Sequence, residues 1–394
     1  MSPSSVESTA SGVPRTIKAS VLHGAGNLRI ESRTLGAPGP DEIQVSIQST
    51  GLCGSDLHYY HHYRNGDIIV REPMSLGHES AGVVTNVGSA VSNFQIGDKV
   101  ALEVGLPCGK CERCAEGRYN ICKGMSFRSS AKSFPHFQGT LQERINHPAA
   151  WCYKLPENVS LALGSLLEPL GVAIHASQRA QLAPNSTVLV FGAGAVGLLC
   201  AATTTLIGSS TVVIADIDQG RVDFAVKNGF ARRGLVVPRK RGETVEQKLE
   251  TAREIAASVG KVENETGGTI GEVDAVFECT GQESCLQAAI YATRPGGRIM
   301  LIGMGTPVQT LPISAAALRE VDLVGVFRYG KHAYERGIEL VSKKGPGALD
   351  LEKLVTHRYK GLENAPEAFE MAGKTVDAQG NLVLKVVLEM GEDE

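Results

Sequence analysis

The stretch that most restricts how this chain can fold is TVLVFGAGAVGLLCAATTTLIGSSTVVIADID, from Thr187 to Asp218. A β-branched apolar run, Val188 to Phe191, meets Gly192, Gly194 and Gly197 in Gly-x-Gly-x-x-Gly spacing, followed by a small-residue helix and a second apolar run ending on Asp216. The order reads as strand, helix, strand. Glycines so spaced let backbone N–H groups approach a pyrophosphate at the positive end of the helix. The acid about twenty residues further on suits the two ribose hydroxyls of an adenosine. An ordinary glycine-rich turn is the other reading, and the strand before, the helix after and the acid beyond together favour the dinucleotide.

At 394 residues the chain has room for two or three domains, each with its own core. A net charge of −3 gives no basic field for nucleic acid. No apolar run reaches membrane-spanning length, and the start, MSPSSVESTASGVPRT, lacks an apolar signal region and reads as a frayed tail. Nine cysteines is an odd number, and four of them lie between Cys108 and Cys122. Metal binding in a reducing, cytoplasmic compartment is therefore expected over a secreted disulfide framework.

From Thr16 to Val104, short alternating segments broken by glycine and proline predict a small, mostly β domain. Within it, Cys53 in GLCGSD and His78 and Glu79 in GHESAG are the right ligand types for a zinc ion that keeps one position open. Taken singly, a small buried cysteine and a satisfied core histidine explain them as well. Cys108, Cys111, Cys114 and Cys122 are spaced for a closed, four-thiolate structural site, with a disulfide pair as the alternative.

GLCGSD, GHESAG and GDKV ahead of the nucleotide motif resemble the zinc-dependent medium-chain dehydrogenase/reductase superfamily. With EGRYN (116–120), LLEPLGVAIHA (166–176), FECTG (277–281), YATRPGG, REVDLVGVFRY (319–329) and LVTHRY, the chain resembles its sorbitol (polyol) dehydrogenase family, fungal polyol dehydrogenases in particular. The resemblance covers nearly the whole chain. It implies an α/β fold: a Rossmann doubly wound parallel sheet at 171–312, plus a GroES-like β-rich catalytic domain from 16–170 and 313–394 that carries the structural zinc lobe. It implies NAD-dependent, zinc-dependent oxidation of a sorbitol- or xylitol-type polyol to the ketose, with zinc acting as a Lewis acid on the reacting oxygen. L-Arabinitol or galactitol, or another medium-chain zinc alcohol dehydrogenase activity, is the alternative. Glu-Pro-Leu and Phe-Arg-Tyr disfavour enzymes of simple alcohols or threonine, and the intact ligand set disfavours a non-enzymatic nucleotide sensor. A homotetramer is implied as well.

Residue by residue, the resemblance places Cys53, His78 and Glu79 at a catalytic zinc, with Glu168 as a further ligand or the partner of its water. Cys108, Cys111, Cys114 and Cys122 would hold a second zinc, which some animal sorbitol dehydrogenases lack. Ser55, His58 and Glu168 are candidates for moving the released proton. Tyr59, Phe127, Glu168, Arg328 and Tyr329 would line the polyol site. NAD would meet Gly192, Gly194, Val196, Gly197, Asp216, Arg221, Ile302, Gly303, Met304, Val326, Phe327 and Arg328. Gly171 stands where the family has serine. His61, His62 and His136 read as solvated loop residues, and 238–272 reads as a polar surface insertion containing one helix.

Overall fold

The computed structural model describes residues 14–209, 211–240, 242–345 and 347–391. The expected frayed start, up to residue 13, and the end of the acidic tail lie outside them. Contacts divide the chain into two units, Met1–Cys108 with Gly124–Glu168 and Val355–Glu394, and Gly109–Lys123 with Pro169–Leu354.

The first unit is built on a seven-stranded sheet. Its path runs Cys152–Lys154, Lys99–Leu102, Glu79–Val87, Glu42–Gly51, Lys385–Glu389 and Val355–Lys360, and Arg144–Pro148 pairs with the first half of Glu42–Gly51. Alternation in EIQVSIQSTG buries Ile43, Val45 and Ile47 on one face, against Val84, Val100, Leu102 and Phe94. A three-stranded sheet of Asn27–Leu35, Arg15–Gly24 and Met74–Ser75 lies in the same unit. Its core includes Leu22, Met74 and Leu76 together with Tyr59 and Tyr60 of the helix Gly54–His62.

The second unit holds six parallel strands in the order Arg233–Val236, Thr211–Asp216, Thr187–Phe191, Val273–Glu278, Thr293–Leu301 and Asp322–Gly325. Strands such as TVLVF and TVVIAD read as continuous apolar runs because helices cover both faces of a parallel sheet. Thr187–Phe191 is the first strand of one half and pairs with Val273–Glu278, the first strand of the other, so a topological switch point falls at their carboxyl ends, where sheets of this kind bind ligands.

Three features differ from the sequence reading. The segment 109–123, expected with the β-rich catalytic domain, groups with the second unit. The chain was expected to leave the Rossmann domain after residue 312, yet Asp322–Gly325 is its sixth strand and 313–354 belongs to the second unit. Its four residues are too short and too exposed to announce a sheet strand. The segment expected as a surface insertion also contributes to the core. Its helix Val245–Gly260 starts at a capping box of Thr244 and Gln247, and it buries Thr251, Ala252, Ile255 and Val259. Ala252, Ile255 and Val259 join the cluster of Leu189, Val213 and Ile290, because this helix is the crossover between two parallel strands of the sheet. Its polar face had suggested solvent, and its narrow apolar stripe is the part that docks.

Among the described residues no helix is long and apolar enough to cross a membrane.

Candidate active site

Cys53, His78 and Glu79 come from two places in the first unit. Cys53 is the N-cap of the helix Gly54–His62, in extended conformation, while Glu79 begins the strand Glu79–Val87 and His78 precedes it. Their ligand atoms all lie within 4.8 Å of one another. A thiol, an imidazole and a carboxylate at that separation fit a tetrahedral zinc with one position left over. The surroundings fit as well. His78 is buried and donates from Nδ1 to Asp56 Oδ1 at 3.2 Å, which leaves Nε2 for a metal, as a carboxylate behind a ligating histidine does. Ser129 Oγ donates to the same Asp56 oxygen at 2.5 Å. Burial opposes a charge on His78, and Asp56 with Cys53 overcomes it, so its pKa stands well above the usual 6.5. A cation placed there meets the same favourable field.

The carboxylate of Glu79 is almost wholly buried, and both of its oxygens accept from Lys385 Nζ, at 2.8 and 2.7 Å. Lys385 also donates to the Leu52 carbonyl at 3.2 Å. Burial works against its ammonium, and Glu79, Cys53 and Glu168 outweigh that, so Lys385 is charged with a raised pKa. Glu168, buried at the end of this unit, is thus close enough to be felt by Lys385, although it is not one of the three donors that converge.

Ser55 Oγ donates to Cys53 Sγ at 3.4 Å. His58 is exposed on the same helix, and burial of part of its ring, with His62 and His61 nearby, lowers its pKa. Phe127 is buried with its ring 5.5 Å from that of His78. Tyr59 is also buried, and its hydroxyl accepts from Ala131 N at 3.3 Å, tying it to the 126–139 segment. His61 and His62 form the last turn of the helix rather than a loop. His136 was expected in solvent and is instead buried: Nδ1 donates to the Ser133 carbonyl at 2.7 Å, and Nε2 accepts from Arg71 N at 2.8 Å. With both ring nitrogens used, it holds the 126–139 segment to residue 71.

The thiols of Cys108, Cys111, Cys114 and Cys122 also group within 4.8 Å, and none of the four is in a disulfide. Cys111 Sγ is 3.5 Å from Cys114 Sγ and 3.7 Å from Cys122 Sγ. Four thiolates about 2.3 Å from a shared zinc would be about 3.8 Å apart, so the set fits a closed site rather than a disulfide.

In the second unit the three glycines of the turn serve three purposes. Gly192 has φ of 94°, a conformation that side chains disfavour. A Cβ on Gly197 would lie 1.8 Å from the Gly192 carbonyl oxygen, so only glycine lets helix and strand approach. Gly194 caps the helix Ala195–Leu206, where a Cβ would meet only Arg221 Nη1, at 3.7 Å. Val196 lies half-buried in the first turn of that helix. Asp216 accepts from Ala193 N at 2.6 Å through Oδ2 and from Asp218 N at 2.9 Å through Oδ1. The acid is thereby fixed against the turn, with lone pairs to spare for a ribose. Ile302 and Gly303 each donate their N–H to the Glu278 carbonyl, and Met304 beyond them is exposed.

Val326 N donates to the Leu301 carbonyl, after which the chain leaves the sheet. Phe327 is half-exposed, its carbonyl accepts from Asn120 Nδ2 at 2.7 Å, and the Arg328 guanidinium lies 4.8 Å over its ring. Arg328 has φ of 51°, the left-handed region. Tyr329 is buried against Gly171, where a Cβ would be 3.0 Å from its ring. The glycine at 171 therefore makes the space that this tyrosine occupies.

Asp56 and Lys385 were missed by sequence reasoning. Asp56 lies inside the GLCGSD motif, three residues after Cys53, where a carboxylate behind a histidine ligand could have been sought. Lys385 gives no local signal, since it lies 306 residues from Glu79.

A Rossmann turn in one unit and an open three-donor metal set in the other make this a metal-dependent dehydrogenase by fold and site. Residues 39–157 match the alcohol dehydrogenase GroES-like domain, and 195–343 match the zinc-binding dehydrogenase family. Sorbitol dehydrogenase of Gallus gallus is 41% identical over 350 residues, 89% of this chain and 91% of the relative. D-xylulose reductase A of Aspergillus niger is 40% identical over 359 residues, 90% of this chain and 94% of that one. L-idonate 5-dehydrogenase from Escherichia coli K-12 superposes with a TM-score of 0.82 at 25% identity, covering 96% of this chain and 99% of that structure. The chain belongs to the zinc-dependent medium-chain dehydrogenases, in the sorbitol (polyol) dehydrogenase family.

Proposed function

We propose that this enzyme oxidises a secondary hydroxyl of a sorbitol- or xylitol-type polyol to the ketose, reversibly, with NAD as hydride acceptor and two zinc ions per chain. The observation that carries the reading is the convergence of Cys53, His78 and Glu79, backed by Asp56, in a chain 41% identical to a sorbitol dehydrogenase. A zinc held by these three supplies a Lewis acid for the reacting hydroxyl. The remaining work falls to the chain's own side chains.

Asp56 fixes the tautomer of His78, and Ser55 Oγ supports the Cys53 thiolate. His58, exposed on the helix that Cys53 caps and with its pKa lowered by partial burial and by His62 and His61, is one candidate to take up the released proton. Glu168, buried and close enough to act on Lys385, is the second candidate for that proton. Arg328, Tyr329, Tyr59 and Phe127 are assigned to the polyol, whose several hydroxyls call for donors and acceptors rather than an apolar wall. Asp216, already oriented by Ala193 N, would accept the ribose hydroxyls and repel a 2′-phosphate, which favours NAD over NADP. Cys108, Cys111, Cys114 and Cys122 would hold the structural zinc, and a cytoplasmic homotetramer fits the family.

One steady-state experiment tests this reading. C5 and C6 polyols, ethanol and secondary butanols are compared with NAD and with NADP. The best polyol with NAD should exceed the simple alcohols at least about a hundredfold in kcat/KM, roughly 2.7 kcal/mol of transition-state binding. Equal efficiency on ethanol and polyols removes the polyol assignment, and equal use of NADP removes the role given to Asp216.

A further inference from the structure

Glu79 is engaged before any metal is considered. Its carboxylate has an oxygen within 4.8 Å of the Cys53 and His78 donor atoms, and the Lys385 ammonium binds both of its oxygens. The surrounding chain is shaped for this arrangement. Gly51, paired with Glu79 across the two strands, would put a Cβ 2.3 Å from Glu79 Oε2, so the space the carboxylate fills exists only because residue 51 is glycine. The next carbonyl, that of Leu52, accepts a third contact from Lys385, and Leu52 N is itself fixed to the Val386 carbonyl at 2.9 Å.

Lys385 cannot simply swing away when Glu79 turns to a metal. It is 5% exposed, and the other groups that favour its charge are Cys53, of the same donor set, and Glu168. A buried ammonium that loses its carboxylate is left with one carbonyl, which is costly in a dry interior.

Resting on the zinc reading above, we propose that Lys385 is a positioning residue that competes with the metal for Glu79: the carboxylate is a shared ligand, and Lys385 sets how tightly this site keeps its zinc. A site of thiolate, imidazole and unshared carboxylate would hold the ion more firmly. The shared one trades affinity for a ligand that can shift between two cations.

The test follows zinc release from the holoprotein into a chelator, with metal content counted over time. Cys53→Ser identifies which zinc belongs to this site, because that variant lacks its release phase. Lys385→Met keeps the apolar stem and removes the charge, and it should slow release of this zinc at least about tenfold, opposite in sign to the loss caused by removing a partner that supports a metal ligand, because the partner here is a competing cation. Lys385→Arg should restore release to near the wild-type rate. In a Glu79→Gln background, Lys385→Met should change release less than about twofold, since the shared carboxylate is gone. Should Lys385→Met not fold, Lys385→Gln keeps a hydrogen-bond donor without the charge and carries the same prediction.

Release that is unchanged or faster in the uncharged variants overturns the competition. An equal slowing in the Glu79→Gln background overturns it too, because the effect would then act on the ion's field and not through Glu79. If Cys53→Ser keeps the full zinc content of the wild type, the metal reading itself fails, whatever the Lys385 variants do.

Discussion

The two candidate metal sites of this protein are built on opposite plans. Cys108, Cys111, Cys114 and Cys122 lie in one fifteen-residue segment, and a short loop with one turn of helix at Glu112–Ala115 brings their sulfurs together. Cys53, His78 and Glu79 are collected from a helix start and a strand start, and are then braced by Asp56 and by Lys385 from far along the chain. The first set is local, partly exposed and complete in itself. The second is non-local, largely buried, and incomplete without its neighbours. A closed set of four like donors can only hold an ion, whereas three unlike donors with a polar second layer leave a position for chemistry.

Substitution at Cys53 separates the two plans most sharply. Cys53→Ser should lower kcat/KM about a thousandfold, roughly 4 kcal/mol, with one zinc lost and an unchanged circular dichroism spectrum. A variant that keeps both its zinc content and its activity would erase the distinction.

Next in size is the effect behind the ligands. Asp56→Asn frees His78 Nδ1 from its carboxylate, and this zinc should be held about 10 to 100 times more weakly, measured by chelator competition. The zinc of the cysteine lobe should be unaffected. Loss of both ions together would mean that the two regions are not independent.

The smallest effect on turnover should come from the lobe. Cys111→Ser should cost one zinc and lower Tm by about 5 °C or more, as a structural site contributes directly to folding. Turnover per remaining folded molecule at 25 °C should change less than about twofold. A large fall in kcat without a fall in Tm would give the lobe a role in catalysis and break the comparison.

The same contrast explains what could be read beforehand. The glycine turn was legible because its three glycines and Asp216 act within about thirty residues of chain, and each answers a local geometric need. The four cysteines were legible for the same reason. His136 was misread because burial depends on Glu72 and Arg71, more than sixty residues earlier, whose contacts with it no local pattern announces. The crossover helix Val245–Gly260 was misread because a polar helix with a narrow apolar stripe looks alike on a surface loop and on the flank of a sheet.

By itself the sequence determined the class of fold, the nucleotide turn and the cysteine lobe, because short-range spacing dictates backbone approach and ligand angle without help from elsewhere. It also named the three donors of the second metal set, through the motifs that carry them. Tertiary structure alone decided that those donors converge, that Asp56 stands behind His78, and that Lys385 binds Glu79. Residues 306 positions apart meet only when two strands register on the same central strand, and no local pattern in the chain encodes that meeting.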